Sequence, residues 1–237
     1  MTSNPTPAQR LARLVLILCL PPVLLLSPLY LLATPAWVRY EYRQPDFPSA
    51  ELYRDAERLT LAEATVHYLR SGAGPDYLWD LRSAAGQEVY NPREVQHMVD
   101  VKRVMSGAFW VHGICALLCL AAVVALWRQP QGRAGLWQAV YRGCLALLAL
   151  LVVIGVLALT SFDVFFVLFH RLFFQGDSWL FSYSDTLIQL FPVRFWMDAT
   201  AWLAGLAVGT SALLGTAAYL LSRHVQVNAS HQQIGHQ

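Results

Sequence analysis

Two histidines, His97 and His170, are the residues of this sequence best suited to chemistry. An imidazole can both accept and donate a proton near neutral pH, so a pair of rings can serve a group-transfer reaction. Glu94 and Asp100 lie one helical turn to either side of His97, where a carboxylate could orient the ring. An ordinary surface ion network has the same spacing, and a lone interfacial histidine is more often structural than catalytic.

The rise of an α-helix places these two histidines at the same predicted height. His97 lies about 45 Å along the axis from Trp127, and His170 lies about 42 Å from Arg142. A bilayer with its headgroups is about 40–45 Å thick. If both helices are continuous, the two rings therefore reach the outer headgroup level from separate spans.

Other polar residues fall near the predicted outer ends of the spans. Asp163 lies about 10 Å below His170 along the helix axis, too far for a direct hydrogen bond. Lys102 is the only lysine, and a cation that reaches toward the headgroups is the alternative to a catalytic role. His112 falls near mid-membrane, where we expect an interhelical hydrogen bond. Further candidates for the same cavity are Asp177, Trp179, Tyr183, Asp185 and Arg194.

Several familiar catalytic motifs are absent from the sequence. It contains no Gly-x-Ser-x-Gly elbow, no Ser-x-x-Lys pair and no nucleotide-binding glycine fingerprint. The four cysteines (Cys19, Cys115, Cys119 and Cys144) fall within apolar blocks, where packing is the expected role. A covalent acyl-enzyme has no obvious carrier, so we expect acid–base chemistry by histidine.

The elements that must position these residues are membrane spans. Hydrophobic residues make up 56% of the chain and charged residues 14%, whereas soluble domains carry about 25% charged residues. Four apolar blocks reach the roughly 20 residues that cross a bilayer. The first block follows two arginines but is too long for a signal peptide, so we expect a retained helix.

The charge distribution predicts the orientation. With both termini inside, the inner segments carry six arginines and no acidic residue, and all 15 Asp and Glu lie outside or near the outer membrane edge. The predicted order is cytoplasmic N-terminus 1–13, first span 14–34, extracytoplasmic segment 35–104, second span 105–127, cytoplasmic loop 128–142, third span 143–162, extracytoplasmic connection 163–196, fourth span 197–221 and cytoplasmic tail 222–237.

The extracytoplasmic segment is predicted to be α+β. Residues 38–43 alternate apolar and charged side chains, which is typical of a strand, and residues 78–82 and 87–90 flank a predicted hairpin turn. Two helices are predicted over 49–59 and 61–70, with Thr60 as the cap between them. We therefore predict a mainly α membrane protein with four transmembrane helices, N-in/C-in, and short antiparallel strands plus helices between spans one and two.

The helices that carry the histidines are predicted to extend beyond the membrane. Asn91 and Pro92 provide an N-cap and a first-turn proline, and no helix breaker follows before Gln129. The third helix is predicted to run without interruption from Arg142 to Phe174. Both histidines would then lie on helices that leave the bilayer.

Two motifs resemble those of the bacterial lipoprotein intramolecular transacylases, the Lit family. Residues 94–102, Glu-Val-Gln-His-Met-Val-Asp-Val-Lys, are similar to the family motif E-x-x-H-M-x-D-V-K. Residues 169–174, followed by 177–179 and 186–192, are similar to the second motif. The four-span layout agrees as well, whereas residues 35–90 match only loosely.

The resemblance implies a reaction on bacterial lipoproteins whose N-terminal cysteine carries a diacylglyceryl group. Members of the family move the sn-2 acyl chain onto the α-amino group and produce the lyso-form. Because two imidazoles that titrate near neutral pH can serve both the amine and the leaving oxygen, we expect His97 to act as the base and His170 as the acid or oxyanion partner, with the opposite assignment almost equally favoured. The supporting residues are Glu94, Asp100, Lys102, Asp163, Asp177, Trp179, Tyr183 and Arg194.

The same resemblance implies a monomer in the bacterial cytoplasmic membrane, with its active site at the extracytoplasmic face, that contacts membrane lipid. It implies no cofactor, no metal and no nucleic acid. Two other readings stay open from the residues alone. One is a haem or metal module held by histidines, and the other is a non-catalytic receptor or assembly factor.

Overall fold

The computed structural model describes residues 4–129 and 132–234, with side chains as far as 225. Residues 130 and 131 of the predicted cytoplasmic loop and both extreme ends of the chain lie outside the described residues. The described part forms helices α1 (Pro7–Leu26), α2 (Leu29–Leu32), α3 (Pro35–Glu41), α4 (Asp55–Arg70), α5 (Asp76–Trp79), α6 (Pro92–Trp127), α7 (Arg133–Thr160), α8 (Phe162–Phe173), α9 (Thr186–Leu190) and α10 (Val193–Ile234).

Four helical segments are long and apolar enough to cross a membrane. They are Pro7–Leu32, Pro92–Trp127, Arg133–Thr160 and Val193–Val225. Each contains most or all of one predicted span and begins before it, and one of them, Val193–Val225, extends beyond its span at both ends. The chain also divides into two compact units, unit 1 with residues up to 27, 110–155 and from 204 onward, and unit 2 with residues 28–109 and 156–203.

Unit 1 is an apolar helix assembly whose buried residues include Leu16, Leu20, Leu126 and Leu136. Gly143 lets α7 approach α1, since a Cβ atom there would lie 3.2 Å from a methyl carbon of Leu20. Small residues serve this purpose in membrane helix packing, where dispersion contacts rather than water exclusion hold helices together.

His112 in unit 1 makes the interhelical hydrogen bond expected from the sequence. Its Nε2 lies 3.1 Å from Oγ of Ser27, the residue that ends α1. The Ser27 hydroxyl donates to the Val23 carbonyl at 2.7 Å, so the imidazole N–H is the donor in the first bond. The ring therefore ties α6 to the end of α1.

Unit 2 has its own core around α4, with buried Val38, Tyr68, Leu78 and Leu190 among its members. Hydrogen bonds join this core to α9, and one is donated by the Tyr42 hydroxyl to the Leu190 carbonyl at 2.7 Å. The residues before α4 therefore pack against a segment almost 150 positions later in the sequence.

The predicted strands of the extracytoplasmic segment are not found. Among residues 4–129 and 132–234 there is no named strand, and Arg82 and Glu88 form one isolated antiparallel bridge. Residues 38–41 belong to α3, because Thr34 caps that helix and Pro35 starts it. The turn over residues 83–86 does form, but α5 and α6 leave too few residues on either side for a ladder.

Two helix predictions also need correction. Residues 49–54 are not helical, and α4 runs unbroken through Thr60, whose hydroxyl donates to the Ala56 carbonyl at 2.9 Å instead of capping a new helix. The predicted continuous third helix breaks at Ser161, which caps α8 by accepting from the Val164 amide at 3.3 Å. The height calculated for His170 along one helix therefore does not apply.

Candidate active site

The first turn of α6 places His97. The Asn91 side chain accepts from the Glu94 amide at 3.0 Å, and the Glu94 carboxylate accepts from the Asn91 amide at 2.9 Å. This reciprocal cap satisfies two helix-end donors, as the Asn91-Pro92 sequence predicts. His97 follows one turn later with a side chain that is only 8% exposed.

His170 lies in the last turn of α8, where its own helix fixes its tautomer. Its Nδ1 is 2.8 Å from the carbonyl oxygen of Phe166, four residues earlier. A carbonyl oxygen only accepts, so Nδ1 carries the hydrogen in the neutral ring. The lone pair therefore lies on Nε2, which is the nitrogen available to take up a proton.

The two imidazoles lie next to one another in unit 2. Their centroids are 6.4 Å apart and their planes differ by 20°. Phe174 contacts both rings, with centroid distances of 5.0 Å to His97 and 5.5 Å to His170. Phe181 lies 5.2 Å from His97, and Trp179 lies 4.8 Å from His170. The walls of the pocket are therefore aromatic.

The electrostatics of this pocket favour neutral rings that are ready to react. Burial lowers the pKa of His170 below its ordinary value, and the hydrogen bond to Phe166 offsets part of that effect. Nδ1 of His97 is buried and has no hydrogen-bond partner among the described residues. A buried unpaired polar atom costs about 1–3 kcal/mol and calls for a functional explanation.

Asp185, which lies between two parts of the second motif, holds the aromatic walls against α6. We call residues 174–185 the aromatic loop. Asp185 accepts from the Ser182 amide at 2.6 Å, from the Arg93 guanidinium at 2.9 Å and from the Asn91 amide group at 3.2 Å. Arg93 in turn lies over the Phe181 ring at 5.1 Å.

Glu94 makes a second tie between α6 and the residues that follow the aromatic loop. Its Oε1 accepts from the Leu187 amide at 2.8 Å, while Oε2 caps α6. Glu94 is 2% exposed, so both bonds are shielded from water. The carboxylate therefore does not touch a histidine, but it fixes the helix turn that carries His97.

The other predicted site residues bind groups other than the two rings or are exposed, although Asp100 is near enough to His97 to act on it electrostatically. Asp100 binds Gln96 and Arg103, and Lys102 donates to the Ala73 carbonyl at 2.6 Å. Arg194 pairs with Asp198 on α10 at 2.5 Å. The side chains that are exposed instead are Asp163, Asp177 and Tyr183. Of the supporting set, Trp179 contacts an imidazole and Glu94 positions one.

The sequence did not single out four residues that build this site. Phe166 orients His170, Phe174 and Phe181 wall the pocket, and Arg93 bridges the aromatic loop to α6. The run of phenylalanines in residues 165–174 was a visible signal, although it suited lipid contact equally well. Nothing local distinguished Arg93, because its partner Asp185 lies 92 positions away.

Comparison with known proteins places this geometry in a family. The family model "Lipoprotein intramolecular transacylase Lit" matches residues 14–196, which is more than half of the chain. An uncharacterised protein of Aquifex aeolicus (strain VF5) is 30% identical over 197 residues, covering 83% of this chain and 88% of that protein.

Solved structures show the same fold. A histidine-to-arginine variant of the membrane integral lipoprotein intramolecular transacylase Lit from Bacillus cereus matches with a TM-score of 0.64 at 19% identity, over 94% of each chain. A second structure of that protein matches with a TM-score of 0.58 at 20% identity, over 94% of this chain and 98% of the other. At these identities the likeness concerns the fold alone.

Proposed function

The chain belongs to the lipoprotein intramolecular transacylase (Lit) family, and from that premise we propose that it transfers the sn-2 acyl chain of an S-diacylglyceryl-cysteine lipoprotein to the α-amino group of the same cysteine. The product is the lyso-form lipoprotein. We place the protein in the bacterial cytoplasmic membrane as an N-in/C-in monomer, with the site at the extracytoplasmic face. The uneven charge distribution supports that orientation.

The observation that carries the proposal is the pair of imidazoles from separate helices, His97 buried and His170 half-buried, with centroids 6.4 Å apart. An amine and an ester of one substrate must react through a ring of about eight atoms, so positioning contributes much of the acceleration. The aromatic walls exclude water, which protects the ester from hydrolysis. Two neutral imidazoles next to one another can then act on both the amine and the ester.

The proton that leaves the amine passes through His170 to the leaving glyceryl oxygen. The amine nitrogen attacks the ester carbonyl carbon, the N–C bond forms, and Nε2 of His170 takes the proton from nitrogen. Collapse of the tetrahedral intermediate breaks the bond to the glyceryl oxygen, and His170 returns the proton to that oxygen. His97 donates a hydrogen bond to the developing oxyanion.

The hydrogen bond from His170 to Phe166 favours His170 as the base, the reverse of the order first favoured from the sequence. That bond leaves Nε2 unprotonated in the neutral ring. His97 has no such constraint, because its Nδ1 has no partner in the described part of the chain. An unpaired imidazole can present an N–H to an oxyanion.

Mass spectrometry of a synthetic diacylglyceryl lipopeptide tests the function. Incubation with the purified full chain should leave the intact mass unchanged, while fragmentation shows one acyl chain on the terminal nitrogen and a free glyceryl hydroxyl. Loss of a fatty acid from the intact mass would instead identify a hydrolase. An unchanged free amine would remove the transacylase assignment.

A further inference from the structure

A second cleft lies in unit 2 and has a volume of about 360 Å³. Its walls come from the end of α3 and the loop after it, and from the first turn of α4. The charged residues that line it are Arg39, Arg43, Arg58 and Asp55. None of its lining residues contributes to the pocket around the two imidazoles, so it needs a separate explanation.

The most unusual of these residues is Arg58, which is 3% exposed. Its guanidinium donates to the Gln189 carbonyl at 2.7 Å and to the Pro48 carbonyl at 2.6 Å, and it lies 4.9 Å from the ring centroid of Tyr42 and 5.0 Å from that of Phe47. These partners are neutral, and Arg58 forms no ion pair within 4.0 Å among the described residues. Burial disfavours the charged guanidinium and nearby Asp55 offsets only part of that cost, so an anion in the cleft would offset more of it.

The remaining charges of the cleft also favour an anion. The Arg43 side chain is exposed and makes no ion pair or hydrogen bond within the described residues, whereas Arg39 is held by two hydrogen bonds to Glu63. Three arginines thus face one aspartate, Asp55.

We propose that this cleft binds the phosphate of an anionic membrane phospholipid. Planar guanidinium groups match phosphate oxygens, and a net positive lining selects a lipid with net negative charge. The lining begins at Arg39, only seven positions after the first span ends at Leu32, so it follows the membrane segment directly. Free phosphate shares this chemistry, and the experiment separates the two. The site is independent of the proposed acyl transfer.

Native mass spectrometry of the full chain in maltoside micelles tests the site. Dioleoylphosphatidylglycerol should bind saturably, with one molecule per chain. Zwitterionic dioleoylphosphatidylcholine should bind at least about fivefold more weakly. Arg43→Glu should weaken phosphatidylglycerol binding about tenfold or more, while Arg43→Lys stays within about threefold of wild type. Arg128→Glu, an exposed arginine of unit 1, makes the same charge change and should have no effect.

Folding is checked by the melting temperature without lipid, which Arg43→Glu should leave unchanged because its side chain has no partner in the described part. Equal phosphatidylglycerol binding by Arg43→Glu and wild type would overturn the site, as would loss of binding in Arg128→Glu to the same extent. Displacement of phosphatidylglycerol by millimolar inorganic phosphate would overturn the lipid as occupant. These binding results can be interpreted even if the lipopeptide assay shows no acyl transfer.

Discussion

His112 of unit 1 and the two site histidines of unit 2 all lie on helices but differ in their burial and hydrogen bonds, since His97 is buried while His112 and His170 are partly exposed. In unit 1, His112 donates to Ser27, which in turn donates to a backbone carbonyl. In unit 2, Nδ1 of His97 has no partner among the described residues, and the bond from His170 to Phe166 leaves its Nε2 available. The proposed roles of His97 and His170 therefore rest on these differences in hydrogen bonding rather than on burial.

The polar contacts of the two units differ in the same way. Unit 1 packs through apolar residues and close helix approaches, so substitutions there should change stability. Unit 2 uses carboxylates of Glu94 and Asp185 to hold separate segments around the imidazoles, so substitutions there should change turnover.

The largest effect should separate the three histidines. His170→Ala and His97→Ala should each slow acyl transfer by roughly 10²- to 10⁴-fold, because they remove acid–base or oxyanion contacts. His112→Ala should leave the rate within about threefold and lower the free energy of unfolding by about 1 kcal/mol. Single-turnover rates on the lipopeptide and denaturant melts measure both. A His112→Ala variant that is folded but inactive would contradict this distinction between His112 and the two site histidines.

The next-largest effect should come from Glu94, which positions His97. Glu94→Ala removes both backbone bonds and should lower kcat about 10- to 100-fold by misplacing His97, while Glu94→Gln keeps one acceptor and should retain more activity. The matched control is Glu63→Ala on α4, whose carboxylate pairs only with exposed Arg39. A rise in KM with unchanged kcat in Glu94→Ala would instead indicate a substrate-binding role.

The environment of His170 predicts a smaller, measurable shift. Since burial lowers its pKa, the ring stays neutral as the pH falls through the ordinary value of about 6.5 and becomes charged only below it. Trp179→Leu opens one face of the ring and should move the titration midpoint upward. NMR titration of the imidazole signals, assigned with His170→Ala, gives both midpoints. A wild-type midpoint above the ordinary value would contradict this account of the pocket.

The smallest effect concerns stability at Glu41, which is 1% exposed near Asp198. Burial, and then Asp198, raise its pKa from 4.5 to about 7, so its contribution to stability is present below pH 4.5 and is lost as the pH rises through 7. The melting temperature of Glu41→Gln minus that of wild type should therefore be larger at pH 8 than at pH 5. An equal difference at both pH values would contradict the shift.

The sequence predicted the parts of this molecule that depend on composition and on local signals. The four apolar segments and the Asn91-Pro92 helix start are found, since both follow from nearby residues. The partner of His112 was expected because a polar ring in an apolar helix needs one. The sequence argument for pairing His97 with His170 assumed a continuous third helix. The helix breaks at Ser161, so that assumption was wrong.

Long-range contacts explain what the sequence did not predict. Residues 38–41 alternate like a strand, but the Thr34 cap and burial against unit 2 partners make them helical. The stretch before α4 is held out of a helix by the bond from the Glu51 amide to Gln189. Asp185 and Arg93 lie 92 positions apart, and no local pattern links them.

One comparison of rates tests the central claim most directly. If His97 and His170 act on one intermediate, the double variant His97→Ala/His170→Ala should transfer acyl groups about as slowly as the slower single variant, because groups that work as a unit are not additive. Single-turnover measurements on the lipopeptide give this value. Effects that multiply in the double variant, with both single variants folded, would mean that the two imidazoles act separately and would contradict the account.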